Sequence, residues 1–173
     1  YKRDKHIVRY KPDHPAIEHL IVHEMVHLDY VIRARKEGVN QLFVSTPEHK
    51  SRFIKSLQTT IIKLTKMGVP KESIDSFCDG LFHGLNLQVY NTPIDLFIEN
   101  DIYNQYPDLR PYQFLSLYSQ QLEGIKAVTD KKVIDVTPRD ILSKSKIYNL
   151  VGSLQLKEIF GVDLMNDFGA TTN

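Results

Sequence analysis

Threonine and proline punctuate this chain at three places, and that punctuation divides it into helices. The pairs are Thr46-Pro47-Glu48, Thr92-Pro93-Ile94-Asp95 and Thr137-Pro138-Arg139-Asp140, each with an acid close behind. A threonine hydroxyl caps free backbone N–H groups, and proline suits the first helical position, where its missing N–H is not needed. An acid in the first turn meets the positive end of the helix dipole. Helix starts are therefore predicted near Pro47, Pro93 and Pro138. An earlier helix is predicted from Asp13-His14-Pro15 to Glu37, with Gly38 as its stop signal. Its apolar positions, among them Leu20, Ile21, Val22, Met25 and Val26, occupy more than one side, which predicts a buried central helix. The helix from Pro47 is expected to end at Gly68. Others should run from Pro70 to Val89, weakened by Gly80 and Gly84, and from Pro111 to Val128. Strand signals are sparse: His6-Ile7-Val8-Arg9-Tyr10, and secondarily Lys132-Val133-Ile134-Asp135-Val136.

The expected fold is mainly α, α+β at most. The 173 residues suit one domain with a real core, and 42% hydrophobic with 25% charged residues is an ordinary globular composition. A net charge of +1 gives no reason to expect nucleic acid as a partner. The basic N-terminus (Lys2, Arg3, Lys5, Arg9, Lys11) is expected to be solvated, and the C-terminal stretch from Gly169 to Asn173 to fray. No apolar run approaches the ~20 residues that span a bilayer. Cys78 is the only cysteine, which excludes an internal disulfide and a cysteine-based metal site. Its isolation also removes the commonest sign of an exported small domain and slightly favours the cytoplasm. The chain opens on Tyr1 rather than Met, as a processed product or a piece of a longer protein would.

One segment carries chemistry: His23-Glu24-Met25-Val26-His27. Two histidines four apart on a helix project from the same face, one turn above the other, and can bind one Zn²⁺. Glu24 lies roughly 100° around the helix. From there it can take a proton from a water whose pKa the metal has lowered. The pattern arises by chance in roughly 1% of chains of this composition. The flanks Leu20-Ile21-Val22 and Leu28 are apolar, so the site is expected inside the protein. The competing reading, two core histidines bonded to backbone or carboxylate, is weakened by Glu24. It adds an ionisable group to a largely apolar helix, and a buried charge is expensive without a task.

The stretch Ile21-Val22-His23-Glu24-Met25-Val26-His27-Leu28 resembles the active-site helix of the zincin metallopeptidases. The strand expected over His6–Tyr10 resembles the zincin edge strand that aligns substrate. The resemblance implies a zincin-like helical domain, a Zn²⁺ cofactor, a peptide or protein substrate and peptide hydrolysis with Glu24 as general base. A zincin-derived domain that binds or regulates without catalysis is the alternative. The metzincin subclass is excluded, because Tyr30 and Arg33 stand where it needs Gly and His.

The third ligand comes from elsewhere in the chain. A gluzincin supplies Glu from a later helix, and Glu99 fits, an acid among Phe97, Ile98 and Ile102. Asp95 one turn before and Tyr103 one turn after could orient a ligand. The plainer alternative is an exposed face of Asp95, Glu99 and Tyr103. His49 is the rival, because His49-Lys50-Ser51-Arg52-Phe53 resembles the His-plus-aromatic segment of SprT-like peptidases. Glu48 is explained by helix capping, His83 stands isolated, and His19 extends the His23/His27 stripe as a neighbour of the site. Oxyanion stabilisation needs a donor. Tyr30, Tyr90, Tyr103 and His83 are available.

Overall fold

The computed structural model describes residues 6–41 and 43–169, which excludes Lys2, Arg3 and Lys5 of the basic terminus and the last four residues. Among the described residues seven α-helices follow one another: α1 (Ile17–Lys36), α2 (Pro47–Ser56), α3 (Gln58–Lys66), α4 (Lys71–Gln105), α5 (Arg110–Thr129), α6 (Lys131–Val136) and α7 (Arg139–Phe160). Short 3₁₀ turns lie at Pro107–Leu109 and Met165–Phe168. The described residues contain no β-strand.

Local signals set most helix ends. Thr46 Oγ1 accepts a hydrogen bond from the His49 backbone N–H, and the Thr46 N–H donates to His49 Nδ1. His49 thus completes a capping box at the exposed start of α2. Gly38 and Gly68 close α1 and α3 in the left-handed region, at φ 72° and 77°. In each case the residue after the glycine bonds back five residues, Val39 to Ala34 and Val69 to Leu64. At α7 the helix begins after Pro138 as the punctuation predicts, but without a cap bond from Thr137.

Four expectations about element types and bounds fail. Residues His6–Tyr10 form no regular element, because no second strand is present among the described residues. The Lys132–Val136 stretch is helical: Asp130 caps it, accepting from the backbone N–H groups of Lys132 and Val133. The single helix expected from Pro47 to Gly68 breaks at Leu57, whose side chain is fully buried. The largest departure is α4, which runs without interruption through Pro93 where a new helix was expected. Proline inside a helix forfeits one backbone hydrogen bond and costs about 3 kcal/mol. Packing outweighs it here, since α4 touches α1, α2, α3, α5 and α7.

α4 is the axis of the fold. One cluster of buried side chains, Leu57, Leu64, Ile74, Cys78 and Ile141, joins α3 and its entry to the first half of α4 and the start of α7. A second, built on Leu117, Leu156 and Leu164, seals α5 against α7. The buried central helix expected at residues 13–37 is half-buried instead. Within α1 only His19 is buried, and Met25 is 57% exposed. Its inward face is a histidine stripe rather than an apolar one. Truncating Leu57 to Ala should lower the unfolding free energy by about 2–5 kcal/mol. Truncating the exposed Leu154 should change it by less than about 0.5 kcal/mol. Chemical denaturation of both variants checks this.

Candidate metal centre

Three imidazoles of α1 face two carboxylates of α4. His19, His23 and His27 repeat every four residues, and so do Asp95 and Glu99, so each set lines one face of its helix. The uninterrupted run of α4 through Pro93 holds both acids on one rod opposite the histidines. The contacts form a ladder. His19 Nε2 donates to Glu99 Oε2 at 2.9 Å, and His23 Nδ1 to Glu99 Oε1 at 2.7 Å. His27 Nε2 donates to Asp95 Oδ1 at 2.8 Å, and His23 Nε2 lies 3.5 Å from the same oxygen. Gln113 of α5 closes the deep end, its Nε2 donating to Glu99 Oε2 at 2.6 Å and to the Glu99 carbonyl at 2.8 Å.

Burial grades along the ladder. His19, Glu99 and Gln113 are buried, whereas the Asp95 side chain is 30% exposed and that of His27 25%. A buried carboxylate must be paired or hydrogen-bonded. Burial alone pushes the Glu99 pKa upward, but hydrogen bonds from His19 and His23 outweigh it and bring the group from 4.5 down to about 2. Burial likewise pulls His23 down, and its hydrogen bonds to Asp95 and Glu99 outweigh that, raising it from 6.5 to about 9. Asp95 is held below its ordinary value against burial by its bonds to His23 and His27.

Among the described residues two groups of side chains can hold a metal ion: His19, His23 and Glu99, and His23, His27 and Asp95. Within each, one ligand atom per residue lies within 4.8 Å of the others. Zinc bonds of ~2.0–2.1 Å in a tetrahedron place neighbouring donors ~3.3 Å apart. Two imidazoles with a carboxylate are donors that zinc accepts, and the 2.8 and 3.5 Å separations around Asp95 Oδ1 bracket that edge. The second group contains both histidines of the five-residue motif.

A cavity of about 410 Å³ opens beside the ladder. His23, Glu24, Asp95 and Glu99 border it, and Glu24 is exposed at its edge rather than enclosed. The segment Val8–Lys11 lines a smaller cavity of about 210 Å³ that also reaches Glu24. The rival ligand His49 is engaged in the α2 cap and joins neither metal-binding group. His83 is exposed and borders neither cavity. Three tyrosines also point elsewhere. The Tyr30 hydroxyl donates to Asp101 at 2.6 Å, a bond that raises its pKa to about 12. Tyr90 meets Ser45, and Tyr103 packs against Phe160 beneath Arg110. Tyr148 of α7 does line the larger cavity, with Gln88, Gln121 and Asn149. Nothing in the local sequence around Tyr148 marks it, because only the α5–α7 packing brings it to the site.

No protein-family model, no curated protein and no solved structure matches the chain. Among the described residues no helix is long and apolar enough to cross a membrane.

The ladder makes the metal-free protein sensitive to pH. The raised His23 pKa contributes stability that is complete below 6.5 and lost as pH rises through about 9. The lowered Glu99 pKa contributes stability that is complete above 4.5 and lost as pH falls toward about 2. In chelator, the melting temperature should peak between pH 4.5 and 6.5 and decline toward 9. In Glu99→Gln the alkaline decline should be shallower. Thermal melts across that range check this, and a melting temperature that climbs from pH 6.5 to 9 would contradict the His23 pairing.

Proposed function

We propose that this chain is a zinc-dependent peptidase domain in which His23, His27 and Asp95 hold Zn²⁺, Glu99 orients His23 and Glu24 is the general base. One observation carries the reading: the ligand atoms of His23, His27 and Asp95 converge within 4.8 Å beside a cavity that Glu24 borders. This assignment exchanges the roles that the sequence suggests for the two acids. The His23 ring offers Nε2 toward Asp95 and Nδ1 to Glu99. A ligating histidine characteristically donates its second ring N–H to a carboxylate, which fixes its tautomer and orientation. Glu99 suits that supporting task, because it is buried and anchored by His19 and Gln113. Asp95 lies at the more open end, between two imidazoles.

Zinc bound there would supply Lewis acidity to polarise a peptide carbonyl and to bring the pKa of a water toward neutrality. Glu24 would accept a proton from the attacking water and deliver it to the departing amine. The exposed position of Glu24 lets a polypeptide reach it, and the small cavity beside Val8–Lys11 extends the open surface past it. Tyr148 is the candidate donor to the developing oxyanion, since its side chain lines the cavity that Glu24 borders.

Glu24→Gln should reduce hydrolysis of a quenched-fluorescence peptide pool by roughly 10²–10⁴-fold while leaving about one equivalent of zinc bound. His23→Ala and Asp95→Ala should each lose the zinc. Glu99→Gln should keep it with roughly 10–100-fold weaker affinity. Elemental analysis and competition with a chelating dye report these differences. Hydrolysis that persists in clean Glu24→Gln protein sinks the mechanism. If Glu99→Gln loses the metal and Asp95→Ala retains it, Glu99 is the ligand.

A second reading has its own support. The ladder is closed by hydrogen bonds of 2.7–2.9 Å from each of the three imidazoles to a carboxylate. Such a ladder can tie α1 to α4 structurally, in a domain that binds or regulates without catalysis. Protein purified without added zinc and found metal-free, with an unchanged melting temperature on zinc addition, would favour it.

A further inference from the structure

The wall formed by α5 and α7 has an unusual construction. Gly124 of α5 faces Asn149 of α7, and Gly152 of α7 faces Gln121 of α5. A Cβ at position 124 would sit 2.3 Å from Asn149 Oδ1, and one at position 152 would sit 2.6 Å from Gln121 Nε2. Neither glycine has a positive φ, and each lies inside a helix, where glycine costs about 0.5–1 kcal/mol relative to alanine. They serve to make room for the two carboxamides. Both carboxamides line the cavity that borders His23 and Glu24.

Gln121 is 5% exposed, and its buried Oε1 has no hydrogen-bond partner among the described residues. A polar atom left in that condition costs about 1–3 kcal/mol. Asn149 is held in place, its Nδ2 donating to the Ser145 carbonyl at 2.9 Å. Among the described residues no lysine or arginine lines the cavity, whereas Glu24, Asp95, Glu99 and Glu123 do, which disfavours an anionic group there.

We infer that this seam is a substrate subsite that recognises the side-chain carboxamide of asparagine or glutamine. It deepens the peptidase reading and rests on it for its role in cleavage. The chemistry selects the ligand. A half-turn of the Gln121 amide presents its oxygen or its NH₂ to the cavity. A primary carboxamide carries a donor and an acceptor on the same side, and can pair at once with the group that Gln121 presents and with the Asn149 carboxamide across the seam. A trans peptide bond points its N–H and C=O in opposite directions and cannot pair with two neighbouring carboxamides in that way.

The test uses the full zinc-loaded chain and two probes, N-acetyl-glutamine methylamide and its apolar near-isostere N-acetyl-norleucine methylamide. Side-chain amide signals of ¹⁵N-labelled protein are followed during titration, with Gln121→Met assigning those of Gln121. The glutamine probe should move the Gln121 and Asn149 signals saturably and bind about tenfold more tightly than the norleucine probe. Gln121→Met should erase the difference, and Gly152→Ala, by displacing the Gln121 amide, should do the same. Equal binding of the two probes, or Gln121 signals that stay still, overturns the subsite. Cleavage of a peptide library separates this from the parent reading. Binding selectivity without any hydrolysis leaves the subsite standing and removes the peptidase. Hydrolysis with no preference for asparagine or glutamine beside the scissile bond removes the subsite alone.

Discussion

The fold turns on a buried carboxylate that has to be satisfied. Glu99 lies within the central helix α4, almost sealed from water, with His19, His23 and Gln113 all directed at it. Stripped of those partners it would be an isolated charge in a low-dielectric interior, which proteins avoid by pairing or neutralising the group. That demand fixes how α1 lies against α4. It also explains why α1 shows an inward histidine stripe in place of an apolar one. Hydrophobic packing then operates at either side, in the clusters around Leu57 and around Leu156.

The same ladder relates stability to chemistry. Without metal, the His23 imidazolium and the two carboxylates stabilise one another. A metal must compete with the proton on His23, so binding below pH 9 displaces it. The arrangement also grades from rigid to open. Gln113, Glu99 and His19 form the buried end, whereas His27, Asp95 and Glu24 lie toward solvent. A metal held at the open end, with its orienting groups behind it, combines preorganisation with access.

Several site residues were legible because they obey local rules. His23, Glu24 and His27 stand out by spacing alone, and the acids at Asp95 and Glu99 stand out as charges among apolar neighbours. Local punctuation also placed the ends of α1 and α3, because Gly38 and Gly68 adopt the left-handed conformation that glycine tolerates best. The punctuation misled at Thr92-Pro93, where contacts from five other helices outweigh the lost hydrogen bond. Strand propensity misled at His6–Tyr10, since a strand needs a partner and none is present among the described residues.

By itself, then, the sequence determined a mainly helical chain and a pair of histidines with an acid between them, because both are written in spacings of three to four residues. Only the tertiary structure decided which imidazoles each acid meets. It set Asp95 against both histidines of the motif and Glu99 against the far nitrogen of one. It likewise brought Tyr148, Gln121 and Asn149 to the cavity from helices remote in the chain. Their positions depend on how α5 and α7 pack, with Gly124 and Gly152 leaving room at the contact, and no local pattern encodes a distance between helices.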